Sequence, residues 1–228
     1  MRSATPARPV RRRGRGRPLG VAEFDSRDAL LRAAHELLLQ SRGLPVPLSA
    51  ICERAGVDVA MVRYHFESRR GLMTSRFERL CAAWAHELES LLALDLSPRR
   101  KLEIHIRQII RNYRRHPYTN RLMTELITSS KPALAKRLGR SFVRPLVDFH
   151  QRLIGQGEAA GEFRSLDPMY FFCSVIGMCE FQFAVQPLLG VAFHTALEDE
   201  AIEAAFIEHT IALVLDGVGA TASRRTPA

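Results

Sequence analysis

The chain has 228 residues, of which 46% are hydrophobic and 25% are charged, and this is the composition of an ordinary globular protein with room for a small and a larger domain. Its cysteines show no CxxC spacing and its eight histidines form no HExxH motif, so the sequence predicts no metal site. Paired carboxylates and nucleophile motifs are also missing. We therefore expect no catalytic site, no enzyme activity and no cofactor.

The positive charge is concentrated in the first 20 residues. They carry seven arginines and no acid, so they supply +7 of the formal net charge of +9 and leave +2 for the other 208 residues. With almost no large apolar side chain, residues 1–20 are expected to be a disordered basic arm. Arg15 and Arg17 lie in an RGRP sequence that resembles an AT-hook, whose arginines enter a narrow minor groove. A solvated tail that helps DNA binding non-specifically, or a misassigned start, explains the arm equally well.

A compact three-helix unit is predicted over residues 21–72. Asp25 or Ser26 can cap a first helix, which has one apolar stripe and ends near Gly43. A second helix begins near Leu48 and stops at Gly56, because glycine readily takes the left-handed conformation that ends a helix. Asp58 can then cap a third helix. Two short helices joined by about three residues, with the first packed across them, are typical of a helix-turn-helix that reads duplex DNA; an ordinary helical hairpin is the alternative.

The outward face of the third helix supplies the candidate DNA contacts. Val62 and Phe66 are expected to point inward, and the groove-facing candidates are Val59, Ala60, Met61, Arg63, Tyr64 and His65. We assign Tyr64 and Arg69 to phosphates, and assign to base edges Met61, Arg63 and either Asp58 or Val59. The guanidinium of Arg63 can contact guanine O6 and N7 together, although a phosphate clamp is the alternative role.

The stretch AGVDVAMVRYHFESRRGL resembles the AGVS-x-G-x-LY-x-HF-x-SK-x-x-L pattern of the TetR family of transcriptional regulators, and the resemblance covers about residues 25–75. Asp58 replaces the usual Ser, Arg63 the usual Tyr and Arg69 the usual Lys. Arginine at 69 keeps a cation that can bind phosphate. Pro47, near the usual Ser or Thr at the start of the second helix, suits a first helical turn but has no amide proton or hydroxyl to offer a phosphate.

The remaining chain is predicted to be helical as well. Helices are expected at about 70–94, 98–116, 118–129, 132–155, 167–190 and 199–216, with no convincing strand and a disordered tail over 217–228. The fold class is therefore all-α: a helix-turn-helix DNA-binding domain over 21–72, followed by a larger helical effector-binding and dimerisation domain over 73–216. The resemblance implies the same arrangement.

The apolar passage from 169 to 190 is long enough to cross a membrane, but Glu180, Gln182 and Gln186 argue against insertion into lipid. We instead expect the helices at about 167–190 and 199–216 to pair with the same helices of a second copy in a four-helix interface, as TetR family members do. The alternative is that both helices only fill the core of one subunit.

The resemblance also implies an effector cavity between the helices from 98 to 190. Its candidate wall residues are Phe142, Phe149, Phe171, Phe172, Cys173, Ile176 and Met178, with His105 and His150 as further candidates. Such a wall suits a small apolar or aromatic effector, although a packing role in the core is the favoured interpretation for each residue taken singly. We expect Cys52, Cys81, Cys173 and Cys179 to be small core residues in a reducing cytoplasm.

Together these features predict a cytoplasmic, ligand-responsive repressor that binds a palindromic operator of double-stranded DNA as a homodimer. The helix from about 70 is expected to link the reading motif to the cavity, so that an effector changes the spacing of the two recognition helices. The alternative function is an architectural DNA-binding protein without an effector.

Overall fold

The computed structural model describes residues 25–41, 45–128, 132–194 and 199–220. The basic arm with Arg15 and Arg17 lies outside the described residues, as does Gly43. Within the described residues the secondary structure is helical, with no strand, which confirms the all-α prediction. No helix in these ranges has both the length and the apolar character that crossing a bilayer requires.

The first three helices form a small bundle with the predicted caps, which we call the reading bundle after its predicted role. Helix α1 (Ser26–Gln40) begins after Asp25, whose carboxylate accepts from the backbone N–H groups of residues 27 and 28. Helix α2 (Leu48–Ala55) ends at Gly56, which has a φ of 68° in the left-handed region. Helix α3 (Val59–Phe66) begins after Asp58, whose carboxylate accepts from the amide of Ala60. Pro47 precedes α2 as its N-terminal cap instead of lying in its first turn.

Helix α4 (Arg69–Ala93) joins two hydrophobic cores. The predicted domain boundary between residues 72 and 73 therefore falls inside a continuous helix. The head core contains the buried side chains of α1 to α3 and the first half of α4, including Phe77 and Cys81. It also takes in Tyr118, Leu122 and Leu126 from a later part of the chain, so the reading bundle is packed directly on the second domain.

The second domain, which we call the body, contains the remaining described helices. These are α5 (Pro98–Arg115), α6 (Thr119–Thr128), α7 (Pro132–Leu138), a π-helical turn (Gly139–Val143), α8 (Arg144–Ala159), α9 (Pro168–Ala184), α10 (Gln186–Phe193) and α11 (Glu200–Val218). The body core lies between the second half of α4 and helices α5, α8, α9 and α11.

Three predicted helix boundaries were wrong. The helix predicted over 132–155 contains the π-helical turn, in which the N–H of Arg144 donates to the carbonyl of Gly139, and it continues to Ala159. The nitrogen of Pro145 has no hydrogen to donate to a carbonyl one turn earlier, and the proline ring would clash with that carbonyl. A widened turn before Pro145 relieves the clash. The helix predicted over 167–190 breaks at Val185, shortly before Pro187, for the same reason.

The third boundary is the start of the tail. Helix α11 runs to Val218, beyond the predicted end at 216, because its last residues are tied to the α8–α9 connection. The N–H of Arg164 donates to the carbonyl of Val218 at 2.9 Å, and Phe163 forms an isolated antiparallel bridge with Gly219.

Candidate functional site

The outward face of α3 is fixed by two buried side chains of the same helix. Val62 and Phe66 are 1% and 6% exposed and pack into the head core. Since they lie four positions apart, they hold one side of this two-turn helix inward. Val59 and Tyr64 are 50% and 79% exposed on the other side, and Arg63 is exposed beside them. An exposed apolar and aromatic surface around an arginine suits contact with base edges and phosphates.

Three of the predicted DNA contacts also have structural partners. The carboxylate of Asp58 caps α3. Met61 is half-buried and packs on the head core. His65 is half-buried, and its Nε2 lies 2.8 Å from the hydroxyl oxygen of Ser26 in α1. The fully outward face of α3 therefore consists of Val59, Ala60, Arg63 and Tyr64 and is narrower than the sequence suggested.

Arg69, predicted to bind phosphate, is held by the second domain. Its Nη1 lies 2.7 Å from a carboxylate oxygen of Glu125 in α6, and its Nε donates to the carbonyl of Val46 at 3.3 Å. The Arg69 side chain is 33% exposed. This pair joins residues 56 positions apart, so hydrophobic periodicity gave no signal for it.

The body contains a cavity between α4, α5, the π-helical turn, α8 and α9, with a volume of about 50 Å³. Of the predicted wall residues, His105, Phe142 and Ile176 line it. Sequence reasoning missed the wall residues Trp84, Glu87, Leu88, Gln108, Ile109, Asn112, Tyr113 and Leu146. The wall residues of α4 were missed because α4 was interpreted only as a connecting helix. The wall residues of α5 could have been found, because Gln108 and Asn112 are polar side chains four positions apart and therefore lie on one side of that helix.

The other predicted wall residues lie elsewhere. Phe149 is 1% exposed and packs beside His105, with 4.5 Å between the ring centroids, and Phe171 is also core. Phe172 is half-buried, whereas Cys173 and Met178 lie on the exposed side of α9. Exposed Cys173 therefore contradicts its prediction as a core residue, while Cys52, Cys81 and Cys179 are buried as expected. Four-residue periodicity could not reveal which side of so apolar a helix faces inward.

A pair of buried histidines lies beside the cavity: His105 lines it, whereas His150 contacts His105 and is not part of the wall. The Nε2 atoms of His105 and His150 are 3.0 Å apart, and both residues are at most 1% exposed. Burial and the neighbouring imidazole lower the pKa of His105 well below its ordinary value, and burial lowers the pKa of His150 to about 4. Both rings are therefore neutral at pH 7. Within the described part of the chain, no three His, Cys, Asp or Glu side chains are grouped to hold a metal ion.

Aromatic contacts connect the cavity to the head core. The ring of Phe142, in the π-helical turn, lies 5.4 Å from that of Phe77 and 6.5 Å from that of Trp84. Phe142 and Trp84 line the cavity, whereas Phe77 is a fully buried residue of the head core. A change in the position of Phe142 would therefore alter both the cavity wall and the packing of the head core.

A polar cluster lies at the same junction. Arg76 of α4 is 6% exposed and donates from Nη2 to Nδ1 of His35 at 2.8 Å and to the Tyr118 hydroxyl at 3.0 Å. His35 belongs to α1, and Tyr118 precedes α6. Burial lowers the pKa of His35. Because a guanidinium can only donate hydrogen bonds, Nδ1 of His35 is the acceptor in this contact. The cluster fixes the orientation of the reading bundle on the body.

The family model described as Tetracyclin repressor-like, C-terminal domain, matches residues 95–224, more than half of the chain. The chain belongs to the TetR family of transcriptional regulators. The comparison with curated proteins gave no match.

Solved structures of transcriptional regulators share this fold. A regulator of the TetR/AcrR family from Thermobifida fusca is 18% identical, with 84% of this chain and 97% of that chain covered and a TM-score of 0.65. A TetR regulator from Streptomyces coelicolor is 22% identical, with coverages of 86% and 99% and a TM-score of 0.57. FadR from Bacillus subtilis, in complex with stearoyl-CoA, is 14% identical, with coverages of 84% and 98% and a TM-score of 0.66.

The TetR fold leaves a broad apolar surface exposed on α9, α10 and α11, which we call the apolar flank. Its members are Met169, Tyr170, Met178, Phe181, Leu188, Val191, Phe193 and Leu213, and each is at least 36% exposed. Single exposed apolar residues are common, but contiguous apolar surface on a monomer marks an interaction site. The flank covers both helix segments predicted to form the subunit interface.

The Arg69–Glu125 pair leads to a prediction about DNA affinity. Glu125→Gln should release the guanidinium for a phosphate, so affinity for any duplex should rise by about two- to fivefold, which corresponds to the modest strength of an exposed ion pair. Fluorescence anisotropy at several salt concentrations checks this. Glu53→Gln, which removes an exposed carboxylate of α2, controls for the change in net charge. Unchanged or weaker binding by Glu125→Gln alone would refute the competition.

Proposed function

We propose that the chain is a ligand-responsive transcriptional repressor that binds a palindromic operator as a homodimer in the cytoplasm. The observation that carries this proposal is the outward face of α3, with Arg63 and Tyr64 exposed on a helix that Val62 and Phe66 hold in a fixed orientation. A rigid helix with a polar and aromatic face suits the major groove of B-form DNA.

Within this proposal, Arg63 contacts base edges and Tyr64 contacts a phosphate. Val59 is exposed near the start of α3 and can reach a thymine methyl group, whereas Asp58, Met61 and His65 contribute mainly by positioning the helix. Arg69 reaches a phosphate after leaving Glu125. Arg15 and Arg17 of the arm, outside the described residues, either enter the minor groove or add non-specific affinity.

The apolar flank supports dimerisation. Exposed aromatic and aliphatic side chains on α9 and α11, such as Phe181 and Leu213, would be buried by the same helices of a second copy related by a two-fold axis. Such a dimer presents two α3 helices to half-sites about one turn of DNA apart, roughly 34 Å. Two-fold symmetry of the protein would then be matched by an inverted repeat in the operator.

The cavity supports regulation by a small molecule. At about 50 Å³ it is far below the roughly 300 Å³ of a small ligand pocket, so an effector must displace wall residues such as Trp84 and Phe142. Because Phe142 also packs on Phe77 of the head core, that displacement would tilt α4 and the reading bundle. A coupling of about 1–3 kcal/mol would change DNA affinity by roughly 5- to 150-fold. FadR, which shares the fold, carries stearoyl-CoA in its structure.

The small volume of the cavity is also the observation that favours the second candidate, an architectural DNA-binding protein without an effector. In that case the body would serve only dimerisation. A regulator should lose affinity for its DNA in the presence of some compound from a screen of small aromatic molecules, whereas an architectural protein should not respond to any of them.

Selection from a pool of random duplexes tests the DNA-binding function. The full chain, immobilised and washed with excess non-specific DNA, should enrich one sequence over successive rounds. A pool that stays random while the protein remains folded would overturn the proposal.

Arg63→Ala then separates base reading from phosphate binding on the enriched sequence. If Arg63 contacts a guanine, the variant should lose about 1–3 kcal/mol of binding free energy and accept other bases at one position of each half-site. Repeating the selection with the variant measures this. Equal weakening on all sequences would mean that Arg63 is a phosphate clamp.

A further inference from the structure

Apart from the indole N–H of Trp84, the polar side chains of the effector cavity can all accept hydrogen bonds from a ligand. Glu87 is exposed, so its carboxylate lies where the wall meets solvent, and Gln108 and Asn112 each carry an amide oxygen on α5. His105 supplies an imidazole from the buried side. Among the described residues that form this wall, none is a lysine or an arginine.

The histidine pair leaves two buried nitrogen atoms without a hydrogen-bond partner among the described residues, one of them in the wall residue His105. One proton lies between the Nε2 atoms of His105 and His150, so one ring donates and the other accepts. Two neutral rings then have one bare Nδ1 and one protonated Nδ1. Both Nδ1 atoms are buried and have no hydrogen-bond partner among the described residues. Leaving a buried polar atom unpaired is costly, so a ligand that pairs with one of them gains affinity.

The pair can present either kind of nitrogen to a ligand. When His105 donates from Nε2, its Nδ1 is an acceptor and the Nδ1 of His150 carries a proton; exchange of the shared proton reverses both roles. A ligand with N–H groups would select the first arrangement. His150 therefore acts as a positioning residue, which sets the tautomer of His105 without touching the ligand itself.

Aromatic side chains complete the site. Trp84, Tyr113 and Phe142 line the same small space, and the electron-rich faces of such rings attract cations. The Tyr113 hydroxyl is hydrogen-bonded to Glu180, so a second carboxylate lies just behind the wall. The carboxylates of Glu87 at the rim and Glu180 behind the wall repel an anionic ligand, because no lysine or arginine among the described wall residues offsets their charge.

We propose that the effector is an aromatic molecule with a protonated amine, and that His105 and Glu87 accept hydrogen bonds from that amine. The inference rests on the proposed effector site but not on DNA binding. The aromatic ring of the effector would displace Trp84 and Phe142, whose ring centroids are 6.5 Å apart, and pack against them. The ammonium group of the effector would lie among acceptors on α4 and α5. The small volume of the cavity favours a compact ring as the first probe.

Three probes with one ring and different charge test this on the full chain. At neutral pH benzylamine is a cation, benzyl alcohol is neutral and benzoate is an anion. Ligand-observed NMR titrations should give benzylamine the tightest binding, about tenfold tighter than benzoate. Glu87→Gln should reduce this preference to about twofold, whereas Glu89→Gln, an exposed carboxylate of the same helix outside the wall, should leave it unchanged.

Histidine spectra provide a second readout that does not depend on a core variant that could fail to fold. In protein with ¹⁵N-labelled histidine, benzylamine should shift His105 Nδ1 towards the hydrogen-bonded acceptor position and fix one tautomer of the pair. Equal or tighter binding of benzoate, or a cation preference that survives in Glu87→Gln with unchanged histidine spectra, would overturn the inference. The selection of DNA from random duplexes does not depend on these probes. Failure of the effector inference can therefore be distinguished from failure of the proposed DNA-binding function.

Discussion

Replacing Gly71 by alanine should destabilise the protein and abolish DNA binding, although alanine is the better helix former. A Cβ atom at Gly71, in the first turn of α4, would lie 1.9 Å from the carbonyl oxygen of Phe66 at the end of α3. Because the obstacle is backbone, α3 and α4 would have to separate. Overpacking of this kind costs about 1–3 kcal/mol, more than the roughly 0.5–1 kcal/mol that alanine gains in a helix.

Urea unfolding and DNA anisotropy measure the two effects of Gly71→Ala. The free energy of unfolding should fall by about 2 kcal/mol, and binding should be lost because α3 changes its orientation on the bundle. Gly155→Ala in α8 is the matched control, since nothing lies within 4 Å of the added Cβ. That control should gain up to about 1 kcal/mol. A Gly71→Ala protein as stable as wild type, with full DNA affinity, would contradict the packing of α3 on α4.

Placing a carboxylate on the apolar flank should produce monomers. Phe181 is 62% exposed on α9, and Phe181→Glu would put two charges of the same sign, one from each subunit, near the two-fold axis of the proposed interface. A monomer binds one half-site without the contribution of the second, so affinity for an inverted repeat should fall by about 100-fold or more. Sedimentation equilibrium gives the oligomeric state, and anisotropy gives the affinity.

The control for Phe181→Glu is Leu96→Glu. Leu96 is 40% exposed in the connection between α4 and α5, away from the apolar flank, so its replacement adds the same charge without touching the proposed interface. It should leave the dimer intact. A dimeric Phe181→Glu protein with unchanged affinity would show that the subunits associate through another surface.

Local signals account for most of what the sequence predicted about the reading bundle. Asp25, Gly56 and Asp58 act through hydrogen bonds and backbone conformations within a few residues of themselves, so their roles were predictable without the rest of the fold. The inward positions of Val62 and Phe66 followed from the helical period. The family resemblance, which covers the same stretch, is confirmed by a family model that matches a different part of the chain.

Features that depend on contacts between distant segments of the chain were harder to predict from the sequence. The ion pair of Arg69 with Glu125 and the packing of Phe142 on Phe77 join segments more than 50 residues apart, and no periodicity reports such pairs. Helix α9 is apolar on nearly every side, so its spacing could not distinguish Phe171 in the core from Cys173 on the surface. By contrast, the break at Val185 was readable from Pro187, which cannot continue the hydrogen bonding of the preceding helix.

The outward face of α3 is the surface that we propose contacts duplex DNA. Hydroxyl-radical oxidation followed by mass spectrometry tests this contact most directly, because Tyr64 is 79% exposed and Leu96, which is not part of the apolar flank, is 40% exposed. On addition of the selected duplex, oxidation of Tyr64 should fall to a small fraction of its value in the free protein, while oxidation of Leu96 should not change. A Tyr64 side chain that stays equally reactive in the complex would mean that another surface binds the DNA.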